Sequence, residues 1–325
     1  MTELSNKQVY QKTIKFSYWR FLWDFLAFLF IVGATVAGFL IAENGFNQGL
    51  IGLAIGAILG IVVVYIVLKY FAYSYKAGQI AMMTKGVAEG KLPTNVVAEG
   101  RKIVKERFTT VAAYFAITSA IKGIFRQISN AITAAGQAIG GNNGGAVGSA
   151  VGGVVETIVA YLCDCCLGWV FYRKDEKATK ATLEGAAIFF KHGKTLIKNL
   201  GRIFGIALLS LIVIGGIFTG IAYLIFMGFR DAFTNLSHEL TEAISSSGDT
   251  APTFISDPTA LTITCAVIVG LVFWSILHSV FVRPFILVGV LRNFINSGKD
   301  DIPDEKSFAE LDKKSKKFAK LHSGA

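Results

Sequence analysis

Two uncharged stretches decide how this chain folds: residues 25–42, FLAFLFIVGATVAGFLIA, and residues 203–226, IFGIALLSLIVIGGIFTGIAYLIF. Neither contains Asp, Glu, Lys or Arg, and each is close to the ~20 residues an α-helix needs to cross ~30 Å of hydrocarbon at 1.5 Å per residue. In lipid the backbone must satisfy its own hydrogen bonds, so a spanning segment is a helix or part of a closed barrel. With 5 Pro in the whole chain and no ten-residue alternation of apolar and polar residues, these blocks read as helices. Composition agrees: 53% of the 325 residues are hydrophobic and 17% charged, against roughly 25% charged in a soluble domain. The sequence therefore predicts an all-α, polytopic integral membrane helix bundle of about six transmembrane helices with interfacial amphipathic helices. Residues 1–295 form the transmembrane domain and residues 296–325 a charged cytoplasmic tail.

Working outward, spans are expected near residues 21–42, 50–68, 108–125, 150–172, 203–226 and 259–282. The mostly polar residues before the first block, and that block's length, read as a signal anchor rather than a cleavable signal. Cytoplasmic loops are rich in Lys and Arg, and charge gives an independent test of the count. Segments 1–20, 73–107, 173–202 and 283–325 carry 4, 7, 8 and 9 basic residues, while the intervening outer loops carry Lys122, Arg126 and Arg230. An even count with both termini in the cytoplasm follows. Removing the third span alone would strand residues 173–202 outside. That span is short and followed by Lys122 and Arg126, so a re-entrant or interfacial helix is its alternative.

Two inner segments carry apolar residues at helical spacing among basic ones: Val96, Val97, Ile103, Val104 and Phe108 beside Arg101, Lys102, Lys105 and Arg107, and Leu183, Phe189, Phe190, Leu196 and Ile197 beside Lys191, Lys194 and Lys198. Both read as helices lying on the inner leaflet. Beyond Pro284, residues 285–295 either extend the last span or turn along the interface. The tail ends in Lys313, Lys314, Lys316, Lys317 and Lys320, suited to anionic headgroups, although its charge favours a solvated, partly disordered tail.

Glycines recur every fourth residue at Gly52, Gly56 and Gly60 and at Gly144, Gly148 and Gly152. Small residues at this spacing let helices approach closely where no hydrophobic force acts between them, so both runs are expected helix-packing glycine zippers. An ionisable group inside a span costs several kcal/mol unless paired or hydrated, which makes Glu156, Asp164 and His278 the candidate intramembrane polar site. Asp24 has Arg20 four residues earlier and is explained as a local pair. Cys163, Cys165, Cys166 and Cys265 lie in apolar blocks and read as small buried residues. No nucleophile elbow, HExxH, P-loop or paired-cysteine spacing is present, so neither catalytic residues nor a cofactor or metal is expected, and an enzyme is disfavoured. The lipid bilayer is the expected partner, with anionic headgroups as candidates at the basic inner segments. Nucleic acid is not expected, because the basic residues flank spans instead of forming one patch. Oligomerisation is left open.

From Cys165-Cys166-Leu167 through the amphipathic stretch ending near Asn199 and Arg202 to Asn296-Ser297-Gly298, the order of features resembles the choline-transporter-like membrane proteins. The likeness covers less than half of the chain, which lacks the large extracellular domain such proteins usually carry. The leading reading is a small-solute or cation transporter or permease-like protein whose path is lined by the fourth span and its neighbours, and the resemblance adds to it. The basic helices and tail imply the alternative, a non-transport membrane scaffold or lipid-surface organising protein.

Overall fold

The computed structural model describes residues 4–46, 48–108, 111–140, 159–197 and 200–324. Every element among them is helical: α1 (Asn6–Phe46), α2 (Gly49–Glu89), α3 (Val96–Arg107), α4 (Val111–Gly140), α5 (Val159–Tyr172), α6 (Ala178–Ile197), α7 (Leu200–Ser210), α8 (Gly216–Met227), α9 (Arg230–Ser246), α10 (Thr253–Ser256), α11 (Pro258–Leu277), α12 (Arg283–Asp300), α13 (Glu305–Lys314) and α14 (Lys316–His322). The chain divides into two compact units, residues 1–200 with 284–325, and residues 201–283.

In the first unit α1 and α2 form an antiparallel hairpin of two 41-residue helices. At 1.5 Å per residue each is about 61 Å long, twice the ~30 Å of a hydrocarbon core, and the two halves of the shafts differ in exposure. Between Leu22 and Ile41 many large apolar residues of α1 are exposed, among them Leu26, Leu29, Phe30, Val36 and Leu40, whereas Val9, Thr13, Phe16 and Ser17 at its polar end are buried. The apolar halves touch through glycine: a Cβ on Gly52 would stand 2.1 Å from the Gly38 carbonyl oxygen, and one on Gly56 2.3 Å from that of Ala34.

The core of this unit is built on the polar ends of the shafts. Ala77 to Met83 of α2 are buried there with α3, α5, α6, α12 and the two tail helices. Helix α2 stops at Gly90, whose φ of 68° ends it in the left-handed conformation, and Asn95 starts α3 by accepting from the Ala98 N–H. α3 lies against α2 where Gly100 meets Phe16 and the Gly78 carbonyl. Parts of both stretches expected on the inner leaflet pack on protein: Val96 and Val104 of α3, and residues 181–189 of α6, are buried, while the side chains of Leu196 and Ile197 lie outside those described. An amphipathic stripe suits a protein core as well as a headgroup layer, and periodicity alone does not distinguish them.

Trp169 of α5, fully buried, donates Nε1–H to Glu184 Oε2 (3.0 Å), and Arg173 Nε donates to the same oxygen (3.0 Å). Gly298 of α12 leaves room for the Trp169 ring, which a Cβ would meet at 2.5 Å. Arg107 closes the α5–α6 turn by donating to the carbonyls of Glu176 (2.7 Å) and Arg173 (3.0 Å).

The tail expected to be solvated folds instead as α13 and α14, with Phe308, Leu311 and Phe318 buried. Asp304 and Ser315 cap these helices through the Ser307 and Phe318 N–H groups. The Asp312 carboxylate bonds His322 Nδ1 (2.9 Å) and holds the imidazole above its usual pKa, while Lys191 holds the Asp301 carboxyl below its own. Lysines punctuate this tail, but its apolar residues recur at helical spacing and find the bundle.

Four helical stretches are long and apolar enough to cross a membrane: Asn6–Phe46, Gly49–Ile66, Gly205–Met227 and Pro258–Asp300, with a fifth only if α3 and the start of α4, bent by 83°, count as one. The expected third span thus starts at a sharp bend. From residue 112 to 127 its exposed positions are Ala112, Ala116, Ser119, Lys122 and Arg126, while Tyr114, Ile117, Ile121 and Phe125 are buried. The expected fourth span is described only as α5, about 21 Å long, and residues 161–171 are buried throughout.

In the second unit α8 and α11 pair where Gly270 meets Thr219 and the Gly215 carbonyl, and the Phe218 and Phe273 rings stack at 4.6 Å. Two π-helical turns, Leu211–Gly215 and His278–Val282, interrupt the long helices. The second lies directly before Pro284, which has no N–H to return to the preceding turn, and the helix continues into α12 rather than breaking. Asp257 caps α11 by accepting from the Thr259 N–H, with Pro258 at the first helical position.

Candidate functional site

A cavity of about 690 Å³ lies in the first unit, where the shafts leave their apolar halves and meet α4 and α5. Five charged side chains line it: Arg20 and Asp24 of α1, Lys76 of α2, Lys122 of α4 and Asp164 of α5. Lys76 Nζ and Asp164 Oδ1 are 2.8 Å apart, with the carboxylate side chain 6% exposed and the lysine 35%. Arg20 Nη1 donates to Gln79 Oε1 (3.2 Å), and Gln79 Nε2 donates to Ser17 Oγ (2.9 Å), tying α1 to α2 beneath the cavity. Tyr73 and Tyr114 form part of the wall, their rings 4.9 Å apart. Ile31, Ile61 and Val64 line the far end, within the stretch whose neighbours Phe30, Val32, Val62 and Val63 are exposed.

The residues singled out from the sequence are distributed as follows. Asp164 is buried and ion-paired with Lys76 at the edge of the bundle. The residues around it, Leu162 to Leu167, are buried as well. His278 belongs to the second unit, where its Nδ1 is 3.0 Å from Ser210 Oγ and Trp274 Nε1 donates to the same oxygen (3.1 Å). Glu156, Gly144, Gly148 and Gly152 lie outside the described residues. Gly52, Gly56 and Gly60 face α1 across the hairpin. Cys165 and Cys166 are fully buried, and the absent side chain of Gly185 accommodates the Cys166 thiol. Among the described residues no group of three or more His, Cys, Asp and Glu is placed to hold a metal ion.

Sequence reasoning missed Lys76, Glu184 and Ser210. Lys76 follows an aromatic run at the edge of an apolar block and reads there as an ordinary flanking cation. Glu184 interrupts the apolar stripe of α6, a visible signal that a partner had to exist. Ser210 is a lone hydroxyl in an apolar run, and such hydroxyls often bond back to their own helix, as this one does to the Ala207 carbonyl (2.7 Å). No family model matches this chain, and neither a curated protein nor a solved structure matches it.

Proposed function

We propose that this chain is a membrane-anchored scaffold: two apolar hairpins cross the bilayer, and a helical bundle with both termini lies on the cytoplasmic face. The observation that carries this reading is the inverted burial of the shafts. Apolar side chains are exposed along one half, as lipid-facing residues are, and the core gathers on the other. Within the first hairpin no Asp, Glu, Lys or Arg falls between residues 25 and 42 or between 50 and 68. A solute path needs polar groups near the midplane, and two helices in close contact leave no lumen between them. Charge supports four crossings over six. Dropping the third and fourth spans together keeps the count even and moves Lys122 and Arg126 inside, leaving Arg230 as the basic residue of outer segments 43–49 and 228–258.

Orientation is tested with single cysteines in a cysteine-free background. Residues 247 and 313 are both exposed, so accessibility alone does not decide the result. In intact cells a membrane-impermeant maleimide is expected to label Ser247→Cys and not Lys313→Cys. The reverse pattern would overturn the topology.

The scaffold and transport readings part at Asp164. In proteoliposomes under an imposed proton or potassium gradient, the wild-type protein is expected to add no flux over empty vesicles. Asp164→Asn is expected to lower stability by about 1–3 kcal/mol, less than a fully buried broken pair costs because Lys76 can hydrate. Lys76→Met costs more, about 3–5 kcal/mol, since it leaves the buried carboxylate without its ammonium. A protein-dependent flux abolished by Asp164→Asn would instead establish the transport reading.

A further inference from the structure

We infer that the cavity at the base of the first hairpin is a binding site for one anionic phospholipid drawn from the leaflet that borders the bundle. The lining is graded along both antiparallel shafts in the same direction. On α1 it runs from Arg20 to Ile31, about 16 Å along the helix axis, and on α2 from Lys76 back to Ile61, about 22 Å. Charged side chains of both signs, Arg20, Asp24, Lys76 and its partner Asp164, therefore stand at one end and branched apolar side chains at the other, on the scale of a headgroup followed by the upper part of an acyl chain.

The volume, about 690 Å³, falls inside the roughly 300–1,000 Å³ range of small-molecule sites. Three cations against two carboxylates leave one net positive charge on the wall, which complements a singly charged phosphodiester such as phosphatidylglycerol. A zwitterionic headgroup brings its own cation and gains less. A water-soluble anion suits the charged end alone, because the other end continues into apolar surface that only a chain can cover.

Lys122 is exposed at the rim and is the cation assigned to the phosphate. The bundle's own network at Arg20 and Lys76 shapes the pocket around it. This inference goes beyond the scaffold reading. It takes from that reading only that the charged ends of the shafts mark a membrane boundary on the cytoplasmic side, and the cysteine labelling tests that side separately.

Delipidated protein titrated with phosphatidylglycerol or phosphatidylcholine of identical chains, and read by native mass spectrometry, decides the matter. One phosphatidylglycerol is expected to be retained in preference to phosphatidylcholine. Lys122→Gln is expected to weaken phosphatidylglycerol about fivefold, the equivalent of about 1 kcal/mol for one cation near a membrane surface, and Lys122→Arg to restore it. Ile61→Trp, which fills the apolar end, is expected to weaken both lipids, and excess inorganic phosphate to displace neither. Equal retention of the two lipids by wild-type protein overturns the proposal whatever the variants do. So does unchanged phosphatidylglycerol binding in a folded Lys122→Gln, and displacement by phosphate would reassign the pocket to a free anion.

Discussion

Gly56→Leu and Gly52→Leu are expected to be the most disruptive single changes in the membrane half, because the space a side chain would need is occupied by the backbone of the other helix. A Cβ at either position comes within 2.3 Å of a carbonyl oxygen of α1. A flexible side chain can swing away, but here the helix itself must move, and separating the shafts forfeits contact along their length. Overpacking a close-packed site costs about 1–3 kcal/mol and occasionally more, and these positions belong at or above the upper end. At roughly 2–4 °C per kcal/mol for a chain of this size, thermal unfolding in detergent is expected to shift down by about 6–12 °C. Gly33→Leu is the control, since nothing lies within 4 Å of its added Cβ, and it is expected to melt as the wild type does. Equal shifts for all three variants would show that the glycines of α2 do not set the approach of the shafts.

Trp169→Ala is expected to be among the most damaging changes in the bundle. The indole is fully buried, touches α12 at Gly298 and donates to the buried Glu184. Removing a large aromatic side chain from such a site costs about 3–5 kcal/mol, and it leaves Glu184 with Arg173 as its remaining donor pair. Trp169→Phe retains most of the volume and loses the N–H, so it is expected to cost about 1–3 kcal/mol. Limited proteolysis reads both: cleavage after the lysines of α6 and the tail should accelerate in Trp169→Ala, less so in Trp169→Phe, while far-ultraviolet circular dichroism retains the signal of the membrane shafts. Unchanged protease resistance in Trp169→Ala would show that this contact does not organise the bundle.

Much of this architecture is legible in the residues. The uncharged blocks within α1, α2, α7–α8 and α11 are read directly as helices long enough to cross lipid, because the energy of exposing apolar surface to water depends on composition and length alone. The asymmetry of basic residues is equally local. What misleads is the assumption that every apolar block of span length faces lipid. Residues 161–171, apolar but for Asp164 and Gly168, are buried in protein, and the apolar face of α3 packs at Gly100 against Phe16 of α1 and Gly78 of α2. A sequence states how hydrophobic a surface is and where it lies on a helix. It does not state which apolar surface covers it.

For the candidate site the division is sharper. Asp164 and His278 stood out because a charge in an apolar run is costly, and that cost is visible in one dimension. Their partners were not. Lys76 and Asp164 are 88 positions apart in the chain, and the tight turn after α2, the docking of α5 and the length of the shafts together bring them to 2.8 Å. Ser210 and His278 meet only because two separate long helices run side by side. The sequence by itself therefore determined the solvent, the helical class and the side of the chain rich in positive charge, since each is a sum over local residues. The tertiary structure alone decided that the core lies outside the apolar halves, that the tail folds onto it, and that cations and carboxylates from four helices converge on one cavity, because those outcomes depend on which surfaces of the chain find each other.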